Sequence, residues 1–421
     1  MLGSWRKIFT YGLMVSLSML LSITSASAAE ILKVGVIGPF TGGSAKTGEE
    51  IKRAATLAFE DIGNKIGDYT IEPVWIDSQS DPAKATNAYA EAVERKGIQV
   101  GYMNWHSSVA IAVMDLAAKY KIPHLFGGGA SSVINEKYRS NPEKYAGYWL
   151  KSWPVPLDTM IGYIDFLESA IADGTLKVDK KTVVLFGEDT DWGKDIVRGG
   201  REMFTKHGWE VLSEDYISTT QTEFYPLLTK WKEMKPAVIF GSHGFLAAIS
   251  SLIKQSKEVG LNAPMICEGL GWAGEWYSLT GPSSDGVIDM IHKLATPQAK
   301  VFSAKFEKKY GVKPSPSSGG LAWDSSNFFI KIAKRAFEKY GKIDAESIRA
   351  VTVDEVLTGK MTYTADEGAV TVKRFRYDAK SLPDPIIGQE DWAMPVIQYK
   401  GGEGKIIFPK ALAEKEFEAV R

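Results

Sequence analysis

Cysteine is almost absent: Cys267 is the one such residue in 421. No intrachain disulfide can staple the fold, which must stand on packing alone. Histidine is scarce as well, with five residues at 106, 124, 207, 243 and 292, and no HExxH, CxxC, Walker or Gly-x-Ser-x-Gly pattern accompanies them. The usual metal, phosphate and acyl-transfer sites are thereby excluded, and neither an enzyme activity nor a metal or cofactor is expected. Gly127-Gly128-Gly129 lacks the Gly-Lys-Ser/Thr ending of a phosphate cradle and reads as a small-molecule loop. Neither sign of charge prevails, with 50 Lys and Arg against 51 Asp and Glu. A formal net charge of −1 with no long basic block gives no hold on nucleic acid.

Long apolar runs are missing after the first two dozen residues, so no stable membrane insertion of the mature chain is expected. At the N-terminus itself, Arg6 and Lys7 precede an apolar stretch from Phe9 through Leu13 and Leu20 to Ile23. Ala26 and Ala28 frame Ser27 as a small-x-small cleavage site. Residues 1–28 therefore read as a cleaved export signal. With 44% hydrophobic and 24% charged residues, the remainder can build ordinary cores and is long enough for two domains.

Short β-branched runs alternate with helical periodicity, the pattern of parallel sheets wound with helices. A first series pairs strands at 32–37, 71–76, 98–103 and 122–126 with helices built on Ile51, Ala54, Ala55, Ala58 and Ile62, then on 82–95 and 109–120. After Trp153-Pro154-Val155-Pro156 a second series begins, with strands at 182–186, 211–217, 237–241 and 264–267 and helices at 193–204 and 224–234. Another helix ends near Gly260. A strand at 287–291, three helical segments between Pro297 and Leu357, β-like pieces at 369–377 and 396–409, and a Gly401-Gly402 hairpin complete the chain.

In open α/β sheets, solutes bind beyond the carboxyl ends of the strands. Ser107 and Ser108 open a helix there, where hydroxyls and backbone N–H groups favour an anion. Gly129, Ala130 and Ser131 form the loop after the fourth strand, where small residues let the backbone approach a ligand. Ser107 and Ser131 also suit the role of plain helix N-caps. Glu268 ends a strand of the second series, a carboxylate opposite that anion site, and by itself also reads as a solvated loop residue. Trp105 and Trp192 stand in the same set of loops and are candidates for clamping an apolar body, with Trp149, Trp153 and Trp272 left open between cleft and core.

The opening Val34-Gly35-Val36-Ile37-Gly38-Pro39-Phe40-Thr41-Gly42, followed by Gly48, resembles the type I periplasmic binding proteins. Within them it is similar to the leucine/isoleucine/valine-binding branch that serves ABC transporters. Further matching motifs are Asp77 with Asp81-Pro82, Gly101 through Ser107-Ser108, Gly128-Gly129-Ala130-Ser131, Trp192-Gly193, and Val259-Gly260-Leu261 running into Glu268-Gly269. The resemblance implies an α/β fold of two doubly wound Rossmann-like lobes joined by a three-crossing hinge. Lobe one would take residues 30–152 plus 286–360, and lobe two 153–285 plus 361–421, with crossings near 151–156, 283–292 and 360–365. It further implies a periplasmic monomer that captures a small solute and hands it to a transporter permease, or reports it as a sensor subunit. Ser107, Ser108 and the 129–131 loop would grip a ligand carboxylate, Glu268 an ammonium group, and Trp192 would fill a position usually aromatic. His243 falls near a position often held by a ligand-contacting tyrosine, while Thr47 replaces a frequent aromatic residue and Trp105-His106 replaces small ones. An apolar or aromatic amino acid is the expected ligand, ahead of a non-amino aromatic acid, an amide or urea.

Overall fold

The structure, a computed structural model, describes residues 30–419 apart from 273, 275 and 295; the expected export segment at 1–28 lies outside the described residues. Two sheets carry the fold. The first comprises β1 (Glu30–Gly38), β2 (Lys65–Ile66), β3 (Tyr69–Asp77), β4 (Val100–Tyr102) and β5 (His124–Leu125), in the order β2-β3-β1-β4-β5. All pair in parallel except β2, a short antiparallel edge. Strand β1 is central because it can bury both faces. Leu32, Val34 and Val36 face the helices Ala45–Asp61 and Ala322–Tyr340, while Ile37 faces the helices Pro82–Glu94 and Ser107–Tyr120.

The second sheet uses β6 (Thr182–Glu188), β7 (Glu210–Ile217), β8 (Val238–Ser242), β9 (Met265–Glu268) and β10 (Ile288–Met290). After β11 (Tyr363–Thr364) and β12 (Arg374–Phe375), which pair only with each other, it is completed by β13 (Val396–Lys400) and β14 (Glu403–Phe408). Its order is β14-β13-β10-β9-β8-β6-β7. The turn between β13 and β14 is the predicted two-residue hairpin: Gly401 and Gly402 take φ of +59° and +81°, both left-handed, so the turn twists with its strands.

Helix Asp191–Lys206 lies so close to β6 that a Cβ on Gly193 would come within 2.0 Å of the Glu188 carbonyl oxygen. No residue other than glycine fits there. That approach sets Trp192, the residue before it, against the end of β6.

Two boundaries differ from the sequence reading. Strand β10 was expected in lobe one, yet it hydrogen-bonds between β9 and β13 in the second sheet. The segment after residue 360 was expected in lobe two, yet Val370 and Thr371 donate their N–H groups to Asp324 at 2.8 Å each, and the Phe375 ring packs on Phe126 and Phe328. The chain returns to the second sheet only at β13. A strand of three residues and a segment with little regular structure leave no periodicity to read, and pairing partners decide their place.

Candidate functional site

The carboxyl ends of the two sheets face one another, and the loops that follow their strands enclose a cavity. From the first sheet come Asn104, Trp105, His106 and Ser107 after β4, and Gly128 and Ala130 after β5. From the second come Glu188 at the end of β6 and Trp192 after it, Gly244 after β8, and Trp272 after β9; Trp153 and Leu321 complete the wall. The sides already touch: Ser132 donates its N–H and hydroxyl to Asp195 at 2.6 and 2.9 Å. The Ser44 hydroxyl lies 3.4 Å from the Gly244 carbonyl oxygen.

Tryptophan dominates the wall. Trp272 is central, with the rings of Trp192, Trp105 and Trp153 at 5.5, 5.8 and 6.0 Å, all tilted or edge-on to it. This is the arrangement that aromatic quadrupoles favour. Trp192 donates its indole N–H to the Ser242 hydroxyl at 2.9 Å, whereas the buried indole nitrogens of Trp153 and Trp272 have no partner. Two unpartnered donors among the tryptophans of the wall suit a ligand that brings acceptors.

The corner expected to bind an anion is built differently from the sequence reading. Gly128 donates its N–H to the Asn104 carbonyl, Gly129 to the Asn104 side-chain oxygen, and Ala130 and Ser131 both donate to the Ser107 hydroxyl at 3.1 Å. The loop's N–H groups are thus engaged within the protein. What remains for a ligand is the Ser107 hydroxyl proton, because that oxygen already accepts twice. The first turn of helix Ser107–Tyr120 also remains, since its N-cap residue His106 makes no side-chain cap.

Of the residues singled out in the sequence, Ser107, Ala130, Trp105 and Trp192 line the cavity. Ser108 lies half-buried outside its wall, and Gly129 sits behind it, where a Cβ would meet the Ala110 methyl at 2.7 Å. Ser131 is a helix cap, its hydroxyl accepting from the Val133 N–H. Thr47 and His243 line an adjoining chamber that shares Trp105, Gly244 and Trp272 with the main cavity. His243 accepts from the Phe245 N–H through Nδ1, and burial holds its pKa down at about 4. His106, beside Ser44 at 3.1 Å, is held at about 4 for the same reason. Both imidazoles are neutral at pH 7.

Glu268 does not line the cavity. Register explains why: Gly187, Ser242 and Glu268 stand in one row across β6, β8 and β9, and the pleat turns that row toward the helices behind the sheet. The Glu268 carboxyl is buried near Tyr163 and Asp289, one of its oxygens without a partner. Burial, with the Asp289 charge second, raises its pKa to about 8.

Glu188, one residue beyond that row, points the other way and lines the cavity. Its carboxylate accepts from the Gly244 N–H at 2.5 Å and from the Thr190 hydroxyl at 2.7 Å. Burial raises its pKa and these two bonds oppose the rise. Sequence reasoning missed it, because the strand was read to end at Phe186 and only Glu268 stood in a motif, whereas β6 runs on to Glu188. Trp149, left open before, is core: it stacks on His124 at 4.6 Å. Among the described residues no cluster of His, Cys, Asp and Glu could hold a metal ion, and no helix is long and apolar enough to cross a membrane.

Comparison with known proteins agrees with this architecture. A family model described as periplasmic binding protein matches residues 31–378. The chain is 27% identical over 248 residues to the Leu/Ile/Val-binding protein homolog 6 of Brucella abortus, an alignment covering 57% of this chain and 60% of that one. It is 23% identical over 352 residues to the leucine-, isoleucine-, valine-, threonine-, and alanine-binding protein of Pseudomonas aeruginosa, covering 80% and 86%. Among solved structures, an ABC transporter solute-binding protein from R. palustris in complex with benzoate superposes with a TM-score of 0.72 at 22% identity, covering 93% of this chain and 99% of that one. A branched-chain amino acid transporter substrate-binding protein from Streptococcus pneumoniae in complex with isoleucine gives 0.70 at 17% identity, covering 89% and 98%. With two α/β sheets meeting at their carboxyl ends and a family match over most of its length, the chain belongs to the periplasmic binding protein family, of the type I fold and similar to its Leu/Ile/Val-binding members.

Proposed function

We propose that the protein is the solute-capturing component of an ABC transporter, exported to the periplasm, and that its cargo is a small carboxylate-bearing molecule with a flat or bulky apolar body. The observation that carries this reading is a single cavity that sets the uncapped helix end at Ser107 beside four tryptophans, with the buried carboxylate of Glu188 at its edge. The ligand carboxylate meets the Ser107 hydroxyl and helix terminus, and the body lies among Trp105, Trp153, Trp192 and Trp272. A donor on the ligand meets Glu188. An aromatic or large apolar amino acid satisfies all three, with Glu188 in the ammonium role first assigned to Glu268. Delivery requires only that the permease bind the closed state better than the open one.

A benzoate-like acid without an amino group is the second reading. The unpartnered indole N–H groups and the raised pKa of Glu188, which lets it meet an acid in its neutral form, favour it. Thermal unfolding with L-phenylalanine, L-leucine, benzoate and 4-hydroxybenzoate separates the two. A ligand at about one hundred times its dissociation constant adds about 2.7 kcal/mol, which for a chain of this size is an upward shift of about 3 °C. Shifts from the amino acids support the first reading, and shifts from the benzoates alone the second. No shift from any of the four overturns the carboxylate reading.

A further inference from the structure

Trp272 sits on a loop of the second sheet, but side chains packed on the first sheet hold its backbone. Glu50, in helix Ala45–Asp61, is buried, and its Oε1 accepts the Gly274 N–H at 2.9 Å and the Ser315 N–H at 3.3 Å. Its Oε2 accepts from the hydroxyls of Ser315 and Ser318. Those two hydroxyls also lie 2.7 Å from the carbonyl oxygen of Trp272, to which Ser318 donates its N–H at 3.1 Å. On the other side of the loop, Asp289 of β10 accepts the N–H groups of Gly269 and Gly271 at 3.1 Å each. One loop is thus gripped by a buried carboxylate from each half of the molecule, with the central cavity tryptophan between the two grips.

We infer that Glu50 is a positioning residue for the ligand site: directly through the Gly274 N–H, and by ordering Ser318, whose N–H meets the Trp272 carbonyl, it fixes the Trp272 loop from the opposite lobe, so that the aromatic wall is complete only when the two lobes are together. The inference rests on Trp272 being part of the ligand wall. Asp289 shapes the start of the loop in either state, since both belong to the second sheet. The bonds from Glu50 and the serines cross the cleft and part when it opens. The buried carboxylate left behind by an opened cleft costs free energy unless water or a proton reaches it, so the grip favours closure as well as placing the ring.

Amide hydrogen exchange of the ligand-free full-length protein tests this without depending on the ligand reading. In Glu50→Ala, the peptide carrying Trp272 and Gly274 should exchange about tenfold faster or more, the loss of a hydrogen bond to a charged group. Glu50→Gln, whose amide oxygen can still accept from Gly274, should stay near wild type. Titration calorimetry with L-phenylalanine and benzoate should show weaker binding in Glu50→Ala for whichever probe the wild type binds. If neither probe binds, the ligand reading fails and the exchange result still decides the role of Glu50. Faster exchange confined to residues 316–321, with the Trp272 peptide unchanged, makes Glu50 a brace within its own lobe and overturns the inference. Should Glu50→Ala fail to fold, Ser315→Ala with Ser318→Ala removes the hydroxyls at the Trp272 carbonyl, and the same two outcomes apply.

Discussion

Glu188 and Glu268 have the same side chain and close parallel strands of the same sheet, yet they live in opposite environments. Glu188 is 2% exposed, held by Gly244 and Thr190, and lines the cavity; Glu268 is 1% exposed, has one oxygen without a partner, and is buried near Tyr163 and Asp289. One residue of register separates them. Because side chains alternate along a strand, a one-residue offset moves a carboxylate from the ligand cleft to the core. Burial is the same for both, so burial alone does not identify a binding carboxylate. Its hydrogen-bond partners and the face it occupies do.

The largest test of this contrast is the pH dependence of stability. An acid whose folded pKa is raised from 4.5 to about 8 holds more protons folded than unfolded between those values, so its contribution falls as pH rises through that window and is fully kept only below it. The loss approaches about 1.4 kcal/mol per pH unit for one such group. Asp324, raised to about 7 by burial, acts with the same sign. Denaturant unfolding at pH 5 and pH 8 should show the decline, and Glu268→Gln should flatten it while leaving ligand affinity unchanged. An unaltered slope in that variant would place Glu268 in a more polar setting than the core.

A smaller effect is expected at Glu188, read in binding rather than stability. Removing a hydrogen bond to a charged group costs about 1.5–3 kcal/mol, or roughly 10- to 100-fold in the dissociation constant. Glu188→Ala should weaken an amino acid ligand by that factor in calorimetry. If Glu268→Gln weakens binding more than Glu188→Ala does, the assignment of the two carboxylates is reversed.

The smallest expected change comes from the serines, where the same contrast of cleft against structure recurs. Ser131→Ala should lower stability by about 1 kcal/mol, the usual worth of an N-cap, with affinity unchanged. Equal affinity losses in Ser131→Ala and Ser107→Ala would show that the loop after β5 contacts the ligand through its side chain after all.

Much of this was legible in the sequence because alternation of buried strands and amphipathic helices is a long-range pattern repeated many times. Ser107, Trp105 and Trp192 could be found because they stand where strands end and helices begin, the one place a doubly wound sheet leaves open. Glu268 was misplaced because a motif gives a residue's neighbours but not the face of its pleat, which depends on pairing with β8 and β10. Glu188 was overlooked because its strand was read to end at Phe186, two residues short of it. Ser131 kept both of its readings because a motif does not tell that its side chain, which caps the Val133 N–H, stays out of the cavity wall. The lobe assignment of β10 and of the segment holding Val370 and Thr371 lay in tertiary contacts alone.

The loop at Gly128–Ser131 closes its own hydrogen bonds through Asn104 and Ser107. A site built this way keeps its shape when vacant, because departure of the cargo strands no backbone donor in a dry interior and triggers no local refolding. At this corner release then need break only the contacts that the cargo itself makes, while the bonds that cross the cleft, such as Ser132 to Asp195, part with the lobes.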